Sequence, residues 1–443
     1  MCAQILFMVY VYTILFILRS NMIKYVFEPP VFFLGFSLSY EFLKFPYYFG
    51  YKRPEVFAES LTLFNSYYKV ADYHTTSTFL LLFQLVCIGT LLFAYASVNK
   101  RKISAFNQQL VVLKDRKIIL FIVAGIIVGY IGLYFVSGGN ILFLLTRRAG
   151  NAEAWSVLKS NYLVSLLSSC MLFSIPILIG IRIFSNRPWK KLFFLYVPVL
   201  VLYYLITGAR GNIVYSILAM TVLLVCRGSV SVTRSALIGL MMIILFGALG
   251  FLRRSMSDTS SLFTNLQSRS EVESEWYFEI TNYQLQLRDE MVFANLNRVG
   301  QLWGETYLNI VFFAVPRSIA GDLKPQFIDE VVSKKFWNRD DIGLPLNAMG
   351  EAYLNFGVGG IFVFLFMGRF MGFITNLALS RPSILFKCIV TVACFFCQTW
   401  ESSYLVYTIQ FLFISYWPLT SLKEHIRIPN VFQKQEGNLS FVA

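Results

Sequence analysis

The sequence predicts an all-α integral membrane protein. It reads as a polytopic bundle of about 11 (10–12) transmembrane helices, with one large outer loop that carries amphipathic or re-entrant helices. Three observations lead there. Of the 443 residues, 57% are apolar and only 14% are charged, whereas soluble domains carry about 25% charged residues. Mean hydropathy is +0.62, so the chain lacks the polar surface that a water-soluble fold of this size needs. Aromatics are abundant, with 44 Phe and 25 Tyr, as suits lipid-facing packing and interfacial belts.

A helix needs about 20 mostly apolar residues to cross the hydrocarbon core. Stretches of about that length run at 2–18, 27–43, 75–98, 118–137, 163–184, 192–207, 212–226, 235–251, 350–378, 384–400 and 402–420. The first is read as a membrane helix, because no basic residue precedes its apolar run and Arg19 follows it. The chain then divides into transmembrane helices over 1–251, an outer loop over 252–349, further transmembrane helices over 350–420 and a tail over 421–443.

Orientation comes from the short loops, where Lys and Arg gather on the cytoplasmic side. The most basic loop holds Lys100, Arg101, Lys102, Lys114, Arg116 and Lys117; Arg182 to Lys191 and Arg227/Arg234 mark two more. If these face inward, parity places Arg19/Lys24, Arg381/Lys387 and the C-terminal tail inside as well. Those six segments hold 19 basic residues against 4 acidic ones, so nearly all of the net charge of +14 lies on one face. The basic balance is thus a topology signal and gives no reason to invoke nucleic acid. The same parity puts residues 44–74, 138–162 and 252–349 outside. The last contains 10 basic and 13 acidic residues, an amphipathic helix around 271–296, and an apolar stretch from Tyr307 to Val315. That stretch is too short to span and reads as re-entrant or interface-lying.

Topology leaves several polar residues unexplained. Arg210 sits in Thr207-Gly-Ala-Arg-Gly-Asn212, a break between two apolar segments. Arg253 and Arg254 emerge from the eighth helix, Arg317 follows the re-entrant stretch, and Arg147 and Arg148 lie in the outer loop at 138–162. Charges at membrane depth are costly and tend to pair or to line a path, and guanidinium groups bind phosphate in bidentate fashion. The plain alternative for each arginine is snorkelling to lipid headgroups. A second feature is an internal echo: Gly304-Glu305-Thr306-Tyr307-Leu308-Asn309 recurs as Gly350-Glu351-Ala352-Tyr353-Leu354-Asn355. In a helix, Glu and Asn four apart share a face, so each copy presents a carboxylate and an amide. A carboxylate there suits general-base work on a sugar hydroxyl; a helix-start preference for Glu is the plainer account. The run Gly357-Val-Gly-Gly360 lacks a Walker lysine and a soluble strand before it, so it reads as small residues allowing close helix contact. Cys394 and Cys397 have a Cys-x-x-Cys spacing with no histidine near, and read as small buried side chains. No metal site is expected.

Taken in order, Thr207–Asn212, Phe251-Leu-Arg253-Arg254, Gly304–Asn309, Val315-Pro-Arg317-Ser318 with Lys324-Pro325, and Gly350–Gly357 resemble the bacterial O-antigen polymerases (Wzy type), or oligosaccharide repeat-unit polymerases. The likeness covers roughly residues 200–370. It implies a multi-pass enzyme of the bacterial inner membrane, with its large loop periplasmic and its C-terminus cytoplasmic. Its donor and acceptor would be undecaprenyl-pyrophosphate-linked oligosaccharides in the membrane lipid, with a chain-length regulator as a further partner and no cofactor. Under the resemblance Glu351, then Glu305, is the base candidate. Arg210, Arg253, Arg254 and Arg317 face the pyrophosphate without a metal, with Arg147, Arg148 and Lys324 as further anion contacts. Tyr307, Tyr353, Asn309 and Asn355 would contact sugars. An O-antigen ligase and a flippase for the lipid-linked unit are the alternatives.

Overall fold

The computed structural model describes residues 2–20, 28–42, 44–49, 73–98, 109–111, 115–136, 175–183, 188–207, 210–226, 288–312, 317–337, 346–380, 384–397, 400–402 and 425–427, with a few single positions besides. Their regular structure is helical apart from one short ladder. The principal helices are α1 (Cys2–Arg19), α2 (Pro29–Phe42), α3 (Tyr73–Ser97), α4 (Asp115–Val136), α5 (Lys190–Thr207), α6 (Arg210–Cys226), α7 (Arg288–Val299), α8 (Ile328–Trp337), α9 (Ala348–Phe356), α10 (Ile361–Ser380) and α11 (Ile384–Phe396). Among the described residues, three helical stretches are long and apolar enough to cross a membrane: Cys2–Arg19, His74–Ser97 and Ala348–Ala378. The predicted stretches at 235–251 and 402–420 lie mostly outside the described residues, as does the 271–287 part of the amphipathic helix expected around 271–296; what is described there is α7.

The helix boundaries follow local chemistry. Glu28 and Pro29-Pro30 open α2, as expected where proline lacks the N–H that a first helical turn cannot pair. Asn347 caps α9, its side-chain oxygen accepting the Gly350 N–H at 2.8 Å. α9 then ends at Gly357, whose φ of +59° is one that a side chain rarely tolerates. A 3-10 turn, Gly357–Gly360, carries the chain directly into α10.

The bundle is organised on the contact between α3 and α10, with α1 and α7 also on α3 and α2 on α10. What lets α3 and α10 approach is Gly368 and Gly372, a small-xxx-small pair. A Cβ built on Gly368 would stand 2.9 Å from the Ala94 Cβ, and one on Gly372 would stand 2.8 Å from the Val98 side chain. The Gly357–Gly360 run does something more local: Gly360 lies against the backbone of Ala352 in the preceding helix. On the other side of α10, Phe362, Phe366, Phe370 and Phe373 are exposed, while Phe364, Met367 and Met371 are buried. A row of exposed phenylalanines suits a face turned to lipid, while the glycines and a few large apolar side chains meet the neighbouring helices. Cys394 and Cys397 are buried and in no disulfide among the described residues.

A polar grouping crosses the interior. Near the end of α3, the Tyr95 hydroxyl donates to Glu28 and lies 3.3 Å from Thr375 Oγ1, joining α3, the start of α2 and α10. The ladder pairs β1 (Gln109–Val111) antiparallel with β2 (His425–Arg427), so the basic loop and the tail that were assigned to one side by charge lie together.

The glycine contact is directly testable. Gly368→Leu should force α3 and α10 apart and lower the melting temperature in detergent by several degrees or more. Gly239→Leu, where a Cβ meets nothing within 4 Å, should leave it nearly unchanged.

Candidate active site

The two echoed segments fold against each other. The N–H groups of Leu302 and Trp303 donate to the carbonyls of Leu354 and Asn355, at 3.2 and 3.0 Å. Gly304 N–H donates to Asn355 Oδ1 at 3.0 Å. The first copy forms a 3-10 turn, Glu305–Tyr307, running into a short helix, Leu308–Val311; the second is α9. Glu351, at zero exposure, is the point where they meet. Its Oε1 accepts from Thr306 Oγ1 and from Ser402 Oγ, both at 2.5 Å, and its Oε2 accepts from Ser402 N–H at 2.7 Å. Asn355 completes the node, donating to Thr306 Oγ1 at 2.8 Å and to the Glu351 carbonyl at 2.9 Å. A buried carboxylate is costly, and donors facing it in this number offset that cost.

The two copies therefore differ in use. Glu351 and Asn355 share one buried face, as the four-residue spacing predicts, whereas Glu305 is exposed and Asn309 is buried. Asn309 Nδ2 donates to the Gln326 carbonyl at 2.8 Å, and its Oδ1 has no hydrogen-bond partner among the described residues. Tyr307 stacks near-parallel on Phe356, ring centres 6.1 Å apart. Tyr353 stacks on Phe293 of α7 at 3.6 Å and 9°, with Phe83 of α3 edge-on to both. Lys324 is buried and donates to the Val315 carbonyl at 2.7 Å, closing the segment between Tyr307 and Arg317. Around it Trp303, Val311, Ile319 and Leu323 are each more than 70% exposed, a water-unfriendly surface on a non-spanning stretch.

Of the arginines, Arg210 opens α6 and Arg317 opens a one-turn helix, Arg317–Ala320; for both only the backbone is described. Arg147, Arg148, Arg253 and Arg254 lie outside the described residues.

Sequence reasoning missed a charged cluster beside the node. Asp289 of α7 accepts the Asn347 Nδ2 hydrogen bond at 2.6 Å, and its carboxylate occupies the space that a Gly350 side chain would need. Next to it, Lys44 bridges Glu290 and Glu41, at 2.9 and 3.0 Å, with all three buried. Gln84 and Tyr48 donate to Glu41 as well, both at 2.8 Å. Burial alone would push the Lys44 ammonium down, but Glu290 and Glu41 outweigh it and hold it well up. Burial raises the carboxyl of Asp289 to about 6 and that of Glu290 to about 8, Lys44 opposing both. Also missed were Thr306's role and the pair Glu401 and Ser402, buried at zero exposure. A lone Trp-Glu-Ser between two apolar runs was the only signal for the latter.

A family model described as O-antigen polysaccharide polymerase Wzy matches residues 2–417. The chain belongs to that family. It is a multi-pass membrane protein of the Wzy type and acts as a transferase in polysaccharide biosynthesis, on lipid-linked oligosaccharide repeat units in the membrane. No curated protein and no solved structure matches it. Within this Wzy chain, the node around Glu351 joins the 302–309 segment, α9 and the turn after α11.

For Asp289 and Glu290 the folded values lie above the unfolded ones, so their contribution to stability is complete below about pH 4 and is lost as pH rises through about 6 and about 8. The melting temperature in detergent should fall between those values, and Glu290→Gln should flatten the upper part of that fall; an unchanged slope would locate the effect elsewhere. Thr306→Val should remove a donor from the buried Glu351 and cost about 1–3 kcal/mol, measured by denaturation in mixed micelles, while Thr306→Ser should recover most of it.

Proposed function

We propose that this Wzy protein is an O-antigen polymerase working at the periplasmic face of the bacterial inner membrane. It transfers the growing glycan from undecaprenyl pyrophosphate to the non-reducing end of the next lipid-linked repeat unit. The observation that carries the reading is the convergence on one buried node of segments 302–309, 347–355 and 400–402, which belong to the side where flipped lipid-linked units would arrive. About 11 spanning helices, a large periplasmic loop and a cytoplasmic C-terminus complete the topology. The pairing of β1 with β2 supports the last point, since the basic loop and the tail then share a side.

The chemistry is that of a metal-independent, polyprenyl-pyrophosphate-dependent glycosyltransferase. The leaving group is a pyrophosphate, and guanidinium groups fixed at the outer boundary would stabilise the charge that develops on it. Arg210 and Arg317 take that role, each at the first residue of a helix. Arg253, Arg254, Arg147, Arg148 and Lys324 extend the anionic path. Asn309, Tyr353 and Asn355 line or shape the sugar side, Glu305 stands at its exposed rim, and a carboxylate of the buried node activates the acceptor. The apolar lipid tail finds a groove against helices such as α10, and a chain-length regulator is a further partner.

Reconstitution with purified undecaprenyl-pyrophosphate-linked units tests this. Wild-type protein should build a ladder of polymer. Arg210→Ala and Arg317→Ala, inserted normally, should each lose about 10²-fold or more in turnover; wild-type rates would remove both from the pyrophosphate role. In cells, loss of the protein should leave lipopolysaccharide capped with a single repeat unit. Core without any unit would point to a ligase instead.

A further inference from the structure

The reaction needs a group that accepts the acceptor's proton, and Glu351 is poorly placed to be that group. Its oxygens already take three hydrogen bonds from Thr306 and Ser402. The neighbouring Glu401 is just as deeply buried but differs in its hydrogen bonding. It is at zero exposure, and neither of its carboxylate oxygens has a hydrogen-bond partner among the described residues. Burying a carboxylate without a donor is one of the costliest arrangements a fold can hold. Nor is it alone: the Tyr307 hydroxyl and the Trp400 indole N–H are buried and unpartnered in the same sense, and Tyr307 senses the charge of both Glu351 and Glu401.

Backbone geometry marks the same place. Trp400 has φ +53°, a left-handed conformation unfavourable for a bulky residue and one that persists only where surroundings enforce it. The enforcement is visible: Trp400 N–H donates to the Cys397 carbonyl at 2.7 Å, and Glu351 grips both polar groups of Ser402 on the other side. Trp303, at φ +51°, is held in the same manner on the facing segment by the Asn355 carbonyl. Two strained tryptophans thus stand in the segments that carry a carboxylate, a phenol and an indole N–H without a hydrogen-bond partner among the described residues. The missing partners are groups that both donate and accept, as sugar hydroxyls do.

We propose that Glu401 is the general base for the acceptor hydroxyl, that Tyr307 and Trp400 hold neighbouring hydroxyls of the same sugar, and that Glu351 is a positioning residue acting through Ser402. The assignment rests on the polymerase reading above. In the step, the acceptor oxygen bonds to the donor's anomeric carbon while its proton passes to a Glu401 carboxylate oxygen. The anomeric carbon–oxygen bond to the pyrophosphate breaks, and its electron pair leaves on undecaprenyl pyrophosphate. Glu401 then returns the proton to water. Burial pushes the Glu401 carboxyl well up; Glu351, Asp329 and Asp289 add to this and Arg288 opposes it. Tyr307 also faces it. A base of raised pKa accepts a proton more readily once ionised, so turnover should fall on the acid side along a limb lying above the ordinary carboxylate range.

The test is steady-state polymerisation by the full-length protein in proteoliposomes, with purified lipid-linked units, across pH. Glu401→Gln should lower kcat by about 10²–10⁴-fold, leave the acceptor KM within a few-fold, and abolish the acid limb. Glu351→Gln should slow turnover but keep that limb. A Glu401→Gln enzyme with wild-type kcat, or with the acid limb intact, overturns the assignment. Should that variant fail to insert, Glu401→Asp decides: reduced kcat at unchanged acceptor KM with a displaced limb supports it, and wild-type kcat with an undisplaced limb overturns it. Wild-type protein that forms no polymer from these units would instead overturn the polymerase reading, and the assignment with it.

Discussion

The buried carboxylate of Glu351 is the interaction on which the rest of this end of the bundle depends. A fully desolvated carboxylate must be met by donors or lose its charge. Here those donors come from Thr306, 45 residues earlier, and Ser402, 51 residues later. Satisfying one side chain therefore sets the register of the 302–309 segment on α9 and fixes the turn after α11. Asn355 reinforces this by binding Thr306 and Gly304 at once, so the node behaves as a network that is complete or absent.

Around it, two other constraints hold the frame. The close approach of α3 and α10 depends on Gly368 and Gly372, because helices in lipid gain little from apolar burial and must pack backbone to backbone instead. The Lys44 cluster seats α7 against α2 and α3, and the Phe83, Phe293 and Tyr353 rings fill the space between α3, α7 and α9. With Asp289 standing where a Gly350 side chain would be, the cluster and the node share a wall. Charge, ring stacking and glycine contact thus converge on the same few turns of helix.

The echo of Gly-Glu-x-Tyr-Leu-Asn was legible in the sequence, and so was the shared face of Glu351 and Asn355, since a spacing of four residues in a helix places them together whatever surrounds them. That the first copy would turn Thr306 inward and Glu305 outward was not legible. It begins with a 3-10 turn, where the four-residue rule does not apply, and its orientation is dictated by the partner copy. Glu401 carries no local signal beyond its place between two apolar runs. Lys44, Glu41 and Glu290 sit up to 249 residues apart, and no local pattern links them.

The sequence by itself determined the class of the protein, because composition and apolar run length answer to the bilayer and need no knowledge of contacts. Its motifs, in order, also pointed to the family that the whole-chain match bears out. Only the tertiary structure decided which polar groups are sheltered together and which of them are satisfied. Hydrogen bonding between segments depends on distances that one-dimensional spacing does not contain. Glu351 and Glu401 are the sharpest case: two similar residues in the chain, one saturated with donors and the other left without any among the described residues.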